Sequence, residues 1–189
     1  MLDYNEVTPG AYIVIDDEPY ECIASAIAKK SRQKASNQTK LKHLVTGRVI
    51  ERAFHQSDNL EEADISKKTV VYIYTAKGEV WFHDEADKSA RFTLSLDMVG
   101  SRINYLKQNQ PVDALVFNEA VVDIRLPIKV ELLVTEAAPA VRGNTAQNAT
   151  KQVVVETGHT VTVPMFIEEG DVLRVNTETG AYVERVKKP

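Results

Sequence analysis

Apolar residues in this chain come in short alternating runs, broken by turn-forming residues at roughly regular spacing. That period-two pattern confines the fold to small β-sheets. Residues 69–75 alternate up to Lys77-Gly78, and residues 80–83 return. Residues 11–15, the turn Asp16-Asp17-Glu18 and residues 19–27 read as an opening hairpin. A second pair, 38–44 and 48–54, brackets Val45-Thr46-Gly47, and 111–117 pairs with 121–125 across Asn118-Glu119. Further strands are expected at 128–135, 152–156, 160–163, 172–176 and 182–186, separated by Gly158, Gly170-Asp171 and Thr179-Gly180. One stretch departs from the pattern. Leu96, Val99, Ile103 and Leu106 recur near helical spacing, which predicts one short helix weakened by Gly100. With one Trp and five Phe, the chain suits several small cores better than a single large one. Pro127 cannot donate to a sheet ladder and suits the start of a strand, so it marks a boundary. The expectation is an all-β chain of three small β-barrel domains, 1–64, 65–127 and 128–189. The second and third have the size and strand count of the five-stranded OB barrel, a common oligonucleotide-binding architecture.

Charge is distributed unevenly. Lys29, Lys30, Arg32, Lys34, Lys40, Lys42 and Arg48 lie between Cys22 and Ile50 with no acidic residue among them. The whole chain is −4, so these seven cations leave −11 on the remainder. Such asymmetry points to one surface that meets a polyanion on an otherwise acidic body. Residues 28–37 are polar and basic and lack apolar periodicity, so the flanking strands put their middle, near Arg32, at the tip of a projecting loop. Residues 55–68, polar and acidic, read as a linker or a crossing strand.

Candidate chemistry is sparse. His43, His55, His83 and His159 show no metal-ligand spacing, and one cysteine, Cys22, forms neither a thiolate cluster nor an internal disulfide. Cys22 is expected to be a small buried hydrophobe. No P-loop, GxGxxG or GxSxG motif is present. The acidic neighbours Asp16-Asp17 and Glu61-Glu62 would point to opposite faces of a strand and cannot face each other across a substrate. No metal, cofactor or catalytic constellation is expected. No apolar run approaches the roughly 18–20 residues of a membrane span, and the first residues lack a secretion signal, so a soluble cytoplasmic protein is expected.

In the third unit, Lys151, Val153, Gly158, Val161-Thr162-Val163-Pro164 and Gly170 resemble the signature of the elongation factor P family, with every signature position filled. Pro9-Gly10, Glu18-Pro19-Tyr20, Lys40-Leu41-Lys42-His43-Leu44, Thr46-Gly47 and the segment Thr179-Gly180-Ala181-Tyr182-Val183-Glu184-Arg185-Val186 extend the likeness along almost the whole chain. The resemblance implies a translation-type first domain followed by two OB-fold domains in an L-shaped, tRNA-like arrangement. It implies a monomeric, non-enzymatic factor that binds the 70S ribosome beside peptidyl-tRNA and stimulates peptide-bond formation at proline-stalled sites. Arg32 would reach the tRNA acceptor end, either modified by a dedicated enzyme or through charge alone, with Lys30 and Lys34 as the alternative modified positions. Lys29, Lys40, Lys42, Tyr182 and Arg185 would touch tRNA or rRNA. Gly143-Asn144-Thr145 stands where the family often has Gly-Asp-Thr near the exit-site messenger codon. The rival reading, a generic single-strand-binding OB protein, predicts aromatic stacking platforms on a basic face, and no aromatic lies between Tyr20 and Phe54.

Overall fold

The computed structural model describes residues 1–28, 35–138 and 149–187. Fifteen strands appear among them: β1 Tyr12–Ile15, β2 Glu18–Ala28, β3 Ser36–His43, β4 Val49–His55, β5 Glu61–Glu62, β6 Ser66–Ala76, β7 Glu79–Asp84, β8 Arg91–Ser95, β9 Pro111–Phe117, β10 Ala120–Arg125, β11 Lys129–Ala137, β12 Thr150–Val155, β13 Thr160–Pro164, β14 Val172–Asn176 and β15 Tyr182–Lys187. They make three five-stranded sheets, ordered β4-β3-β2-β1-β5, β10-β9-β6-β7-β8 and β13-β12-β11-β14-β15. The second and third share one topology. In each, the first strand is central, the second and third lie to one side, and the fourth and fifth to the other. That is the strand order of the five-stranded Greek-key barrel, and β13 and β15 approach each other where the third sheet curls shut. The first sheet is a meander with β5 added on the far side of β1.

The turn chemistry explains several hairpins. Asp16 and Asp17 have φ of 53° and 64°, and Asn118 and Glu119 have 47° and 65°. Two successive positive φ values make a turn whose twist matches that of the flanking strands. Asn and Asp tolerate that region through their short polar side chains, whereas Glu119 is uncommon there. The helical stretch breaks where its glycine sits. A four-residue helix, α1 Leu96–Val99, ends at Gly100 with φ 57°, and a 3₁₀ turn carries the chain through Gly100–Tyr105. Ser95 caps the start by accepting a hydrogen bond from the Met98 amide.

Residues 1–68 with 113–124 form one compact unit, and residues 69–112 with 125–189 form another. In the first, Val7, Ile13, Cys22, Leu41, Phe54 and Leu60 make a buried cluster. Leu44 also meets Leu115 and Val122, so the β9–β10 hairpin packs against the first sheet. Cys22 is fully buried, and its thiol donates to the Ala24 carbonyl at 3.3 Å. Burial, with a smaller push from the Glu21 carboxylate, raises the thiol above its ordinary value of 9.0. The stability this contributes is complete below that ordinary value and is lost as pH rises through the raised folded one. Cys22 should therefore resist alkylation in the native protein at pH 8 and react fully once unfolded. Fast labelling of the native thiol would contradict its burial.

In the second unit, Tyr105 leaves the 3₁₀ turn and enters the core built by Leu132, Val134, Val155, Val163, Leu173 and Val175. Gly180 permits this approach. Its φ is +72°, and an added Cβ would stand 2.9 Å from the Tyr105 hydroxyl. Gly180→Ala is expected to cost about 1–3 kcal/mol, from backbone strain and overpacking together. Chemical denaturation measures this directly.

Candidate nucleic-acid interface

β2 and β3 form the longest hairpin stem in the first unit, paired from Tyr20↔His43 to Ala28↔Ser36. Strand pairing therefore brings the two ends of the basic segment together. Lys29, Lys30, Arg32 and Lys34 themselves lie outside the described residues. Thr39, 3% exposed, donates its hydroxyl to the Arg52 carbonyl at 2.8 Å. The Arg52 guanidinium sits 5.5 Å from the Phe54 ring centroid. At the far end, buried His43 organises the turn into β4. Its Nδ1 accepts the amides of Val45 and Thr46, each at 3.1 Å, which assigns the ring proton to Nε2, facing Glu18 at 2.7 Å. The Tyr20 ring packs edge-on against it at 4.8 Å.

Lys40 is exposed and bridges Glu51 at 3.1 Å across the β3–β4 ladder. A bridge this open contributes little, so its ammonium can exchange Glu51 for a phosphate. Lys42 is more committed. It is half-buried, and its Nζ lies 3.8 Å from a carboxylate oxygen of Asp123, which is 1% exposed. The two cations share a strand and differ in availability.

In the second unit, Arg185 is also engaged. One guanidinium nitrogen is 3.2 Å from Oδ2 of Asp171, which is 1% exposed, and the group lies 5.1 Å from the centroid of the exposed Phe166 ring. The same Asp171 oxygen accepts the Glu168 amide at 2.9 Å, closing the turn before β14. Tyr182 packs on the core of the third sheet and borders a cleft of about 720 Å³ lined also by Ser101, Asn104, Tyr105, His159 and Thr162. Gly143, Asn144 and Thr145 lie outside the described residues.

Sequence reasoning did not find Asp171, Phe166 or Asp123. Asp171 was visible only as a turn residue, and nothing in its neighbourhood of Glu168-Glu169-Gly170 announces a buried carboxylate. Among the described residues no cluster of three or more His, Cys, Asp or Glu side chains is placed to hold a metal ion. No helix among them is long and apolar enough to cross a membrane.

Residues 3–60 match the family model for the elongation factor P KOW-like domain, and residues 130–185 match that for the elongation factor P C-terminal domain. A relative named Elongation factor P from Desulfotalea psychrophila is 35% identical over 188 residues, covering 100% of both chains. Another of that name, from Clostridium perfringens, is 36% identical over 186 residues, 98% of this chain and 100% of the relative. Among solved structures, eukaryotic translation initiation factor 5A from Methanococcus jannaschii aligns with a TM-score of 0.49 and 14% identity, over 65% of this chain and 94% of that one.

Proposed function

This chain belongs to the elongation factor P family, and we propose that it binds the 70S ribosome beside peptidyl-tRNA and accelerates peptide-bond formation where proline stalls it. The observation that carries this reading is the β2–β3 stem. It joins both ends of a segment holding four cations, Lys29, Lys30, Arg32 and Lys34, and no acid, within the acid-free run of seven cations that leaves the remainder of the chain at net −11. The acceptor end of a tRNA offers phosphates and ribose hydroxyls, the chemistry such a segment meets best. Arg32, flanked by Lys30 and Lys34, would make that contact.

Proline is a poor nucleophile, and its nascent chain fits badly at the site of bond formation. A factor that holds the tRNA in a reactive geometry lowers the barrier through position and entropy, and needs no catalytic residue. The ribosome would supply the chemistry, so the protein is read as a non-enzymatic, cytoplasmic, monomeric factor. Lys29, Lys40, Lys42, Tyr182 and Arg185 would add contacts to tRNA or rRNA, and Gly143-Asn144-Thr145 would lie near the messenger. A modifying enzyme acting on the loop tip would be a further partner. The division at 1–64, 65–127 and 128–189 is proposed as the domain arrangement behind these contacts.

One observation favours a second reading, as a generic single-strand-binding OB protein. Tyr74, 43% exposed, stacks on Trp81 with centroids 5.8 Å apart and planes 17° from parallel. Exposed aromatic pairs of this kind serve as base-stacking platforms. The readings separate in one assay of peptide synthesis on ribosomes programmed for consecutive prolines. The first predicts faster synthesis there, and no gain on a phenylalanine-programmed control. Equal rates with and without the protein, alongside tight binding of free single-stranded RNA, would favour the second.

A further inference from the structure

Asn37 breaks the pattern of its strand. It pairs with Ile27 on one side and Phe54 on the other, on the face that buries Leu41 and Phe54, where a β-branched apolar residue would suit the pleat. Instead an amide sits there at 1% exposure, and its Oδ1 has no hydrogen-bond partner among the described residues. A buried polar group of this kind is unfavourable unless it performs a task.

What Asn37 does is reach out of its own sheet. Its Nδ2 donates to the Tyr4 carbonyl at 2.7 Å and to the Val7 carbonyl at 2.9 Å, over sequence separations of 33 and 30 residues. The segment it grips is itself fixed. Leu2 bridges Leu60, the Glu6 amide bonds the Asp3 carbonyl at 2.9 Å, and Val7 is fully buried in the first core. One side chain thus ties an anchored N-terminal strap to β3 at Ile27↔Asn37, one pair inside the last described pair of the stem, Ala28↔Ser36. Ends of strand ladders open most readily, and the basic segment starts where this ladder stops.

We infer that Asn37 is a positioning residue, which holds the stem of the basic loop so that the loop tip meets its RNA target in one orientation. The inference rests on the functional reading above and goes beyond it. That reading needs a cationic loop, whereas this one assigns loop aim to a residue that touches no RNA. Affinity for the ribosome, spread over many cations, would survive loss of the brace. The reactive geometry would not, since misplacement of about 1 Å can lower a rate up to a hundredfold.

Asn37→Val keeps an inward apolar side chain and removes both donors, Asn37→Asp keeps the shape and removes both donors, and Thr39→Val removes the neighbouring Thr39 to Arg52 bond without touching the strap. On proline-programmed ribosomes, both Asn37 variants should lower the saturating rate roughly tenfold at an unchanged half-saturating concentration, while Thr39→Val keeps the wild-type plateau. A wild-type plateau for both Asn37 variants, or an equal drop in Thr39→Val, would overturn the inference. Hydrogen exchange on the isolated protein reads the brace without the ribosome. Faster exchange at the amides around Asn37 and Val7 is expected in the Asn37 variants, and unchanged exchange there overturns the inference by itself. Failure of the wild type to accelerate proline synthesis would instead refute the underlying function, whatever exchange reports.

Discussion

Arg32→Ala is expected to remove most of the acceleration that the protein gives to proline–proline synthesis, a loss of about tenfold or more in rate, which corresponds to about 1.4 kcal/mol or more of barrier lowering. Pairing runs to Ala28↔Ser36, so the segment between those residues joins two adjacent strand ends. Counting back from Lys40-Leu41, the family resemblance would put Arg32 at the loop tip, as proposed above. An arginine there offers a planar fork that matches phosphate geometry, which lysine lacks. Arg32→Lys therefore separates two explanations. Retained activity would mean that charge suffices. Activity lost in both variants would mean that the guanidinium, or a group attached to it, makes the contact. Intact mass of the protein purified from its own cells distinguishes those last two. A third comparison comes from Lys30→Ala and Lys34→Ala, which should each flatten the salt dependence of ribosome binding by roughly 0.7–0.9 of a unit in log–log slope while leaving the saturating rate largely intact.

The second large effect concerns stability. Arg185→Ala should destabilise the third barrel by about 3–5 kcal/mol, because it leaves the buried Asp171 carboxylate without the cation 3.2 Å away. The Glu168 amide bond to the same oxygen remains, yet the charge then has no opposite partner from β15. Denaturant unfolding with a C-terminal probe measures the loss. A change under about 1 kcal/mol would show that solvent reaches Asp171 and that the pair behaves as a surface bridge. This matters for any assignment of Arg185 to RNA. Reduced ribosome binding by the alanine variant would confound lost contact with lost fold. Arg185→Met with Asp171→Asn removes the cation and the buried charge together, while the Asn side-chain oxygen can still accept the Glu168 amide. Weak ribosome binding by that folded double variant would assign Arg185 to the interface, and wild-type binding would make it purely structural.

Much of the fold was legible from local chemistry. Asp16-Asp17, Lys77-Gly78 and Asn118-Glu119 read as turns, and each pair has two positive φ values in the structure. The predicted helix exists but splits at Gly100, where the absence of a Cβ made a left-handed break inexpensive. One strand, β8, was not anticipated. It is only five residues long and follows the polar stretch from Asp84 to Ser89, so its alternation is too brief to stand out. β5, a pair of exposed glutamates joined to β1 through Val14↔Glu61 and Ile13↔Glu62, falls within residues 55–68, which read as a linker or a crossing strand. Packing of Leu44 against Leu115 and Val122 joins residues some seventy positions apart, which no local period encodes.

The site was less legible, for a physical reason. Charge clusters announce themselves in sequence, and so the basic segment was found. Buried polar partners do not. Asn37, Asp123 and Asp171 sit in ordinary strand or turn contexts, and their roles depend on which distant group arrives beside them. His43 likewise looked like one of four scattered histidines, although its two ring nitrogens arrange the β3–β4 turn and meet Glu18. Knowing that Arg185 and Lys42 face buried carboxylates changes how their variants must be read.

The central claim is that the tip of the basic loop lies beside the acceptor end of peptidyl-tRNA. Buried Cys22 is the chain's single thiol, so Cys22→Ala with Arg32→Cys gives a protein that can carry an iron–EDTA cleaver at position 32 alone. Bound to 70S ribosomes holding peptidyl-tRNA, it should cut the tRNA within its 3′-terminal nucleotides and the rRNA that surrounds them. Cuts confined to other regions, with the acceptor end untouched at full occupancy, would contradict the account.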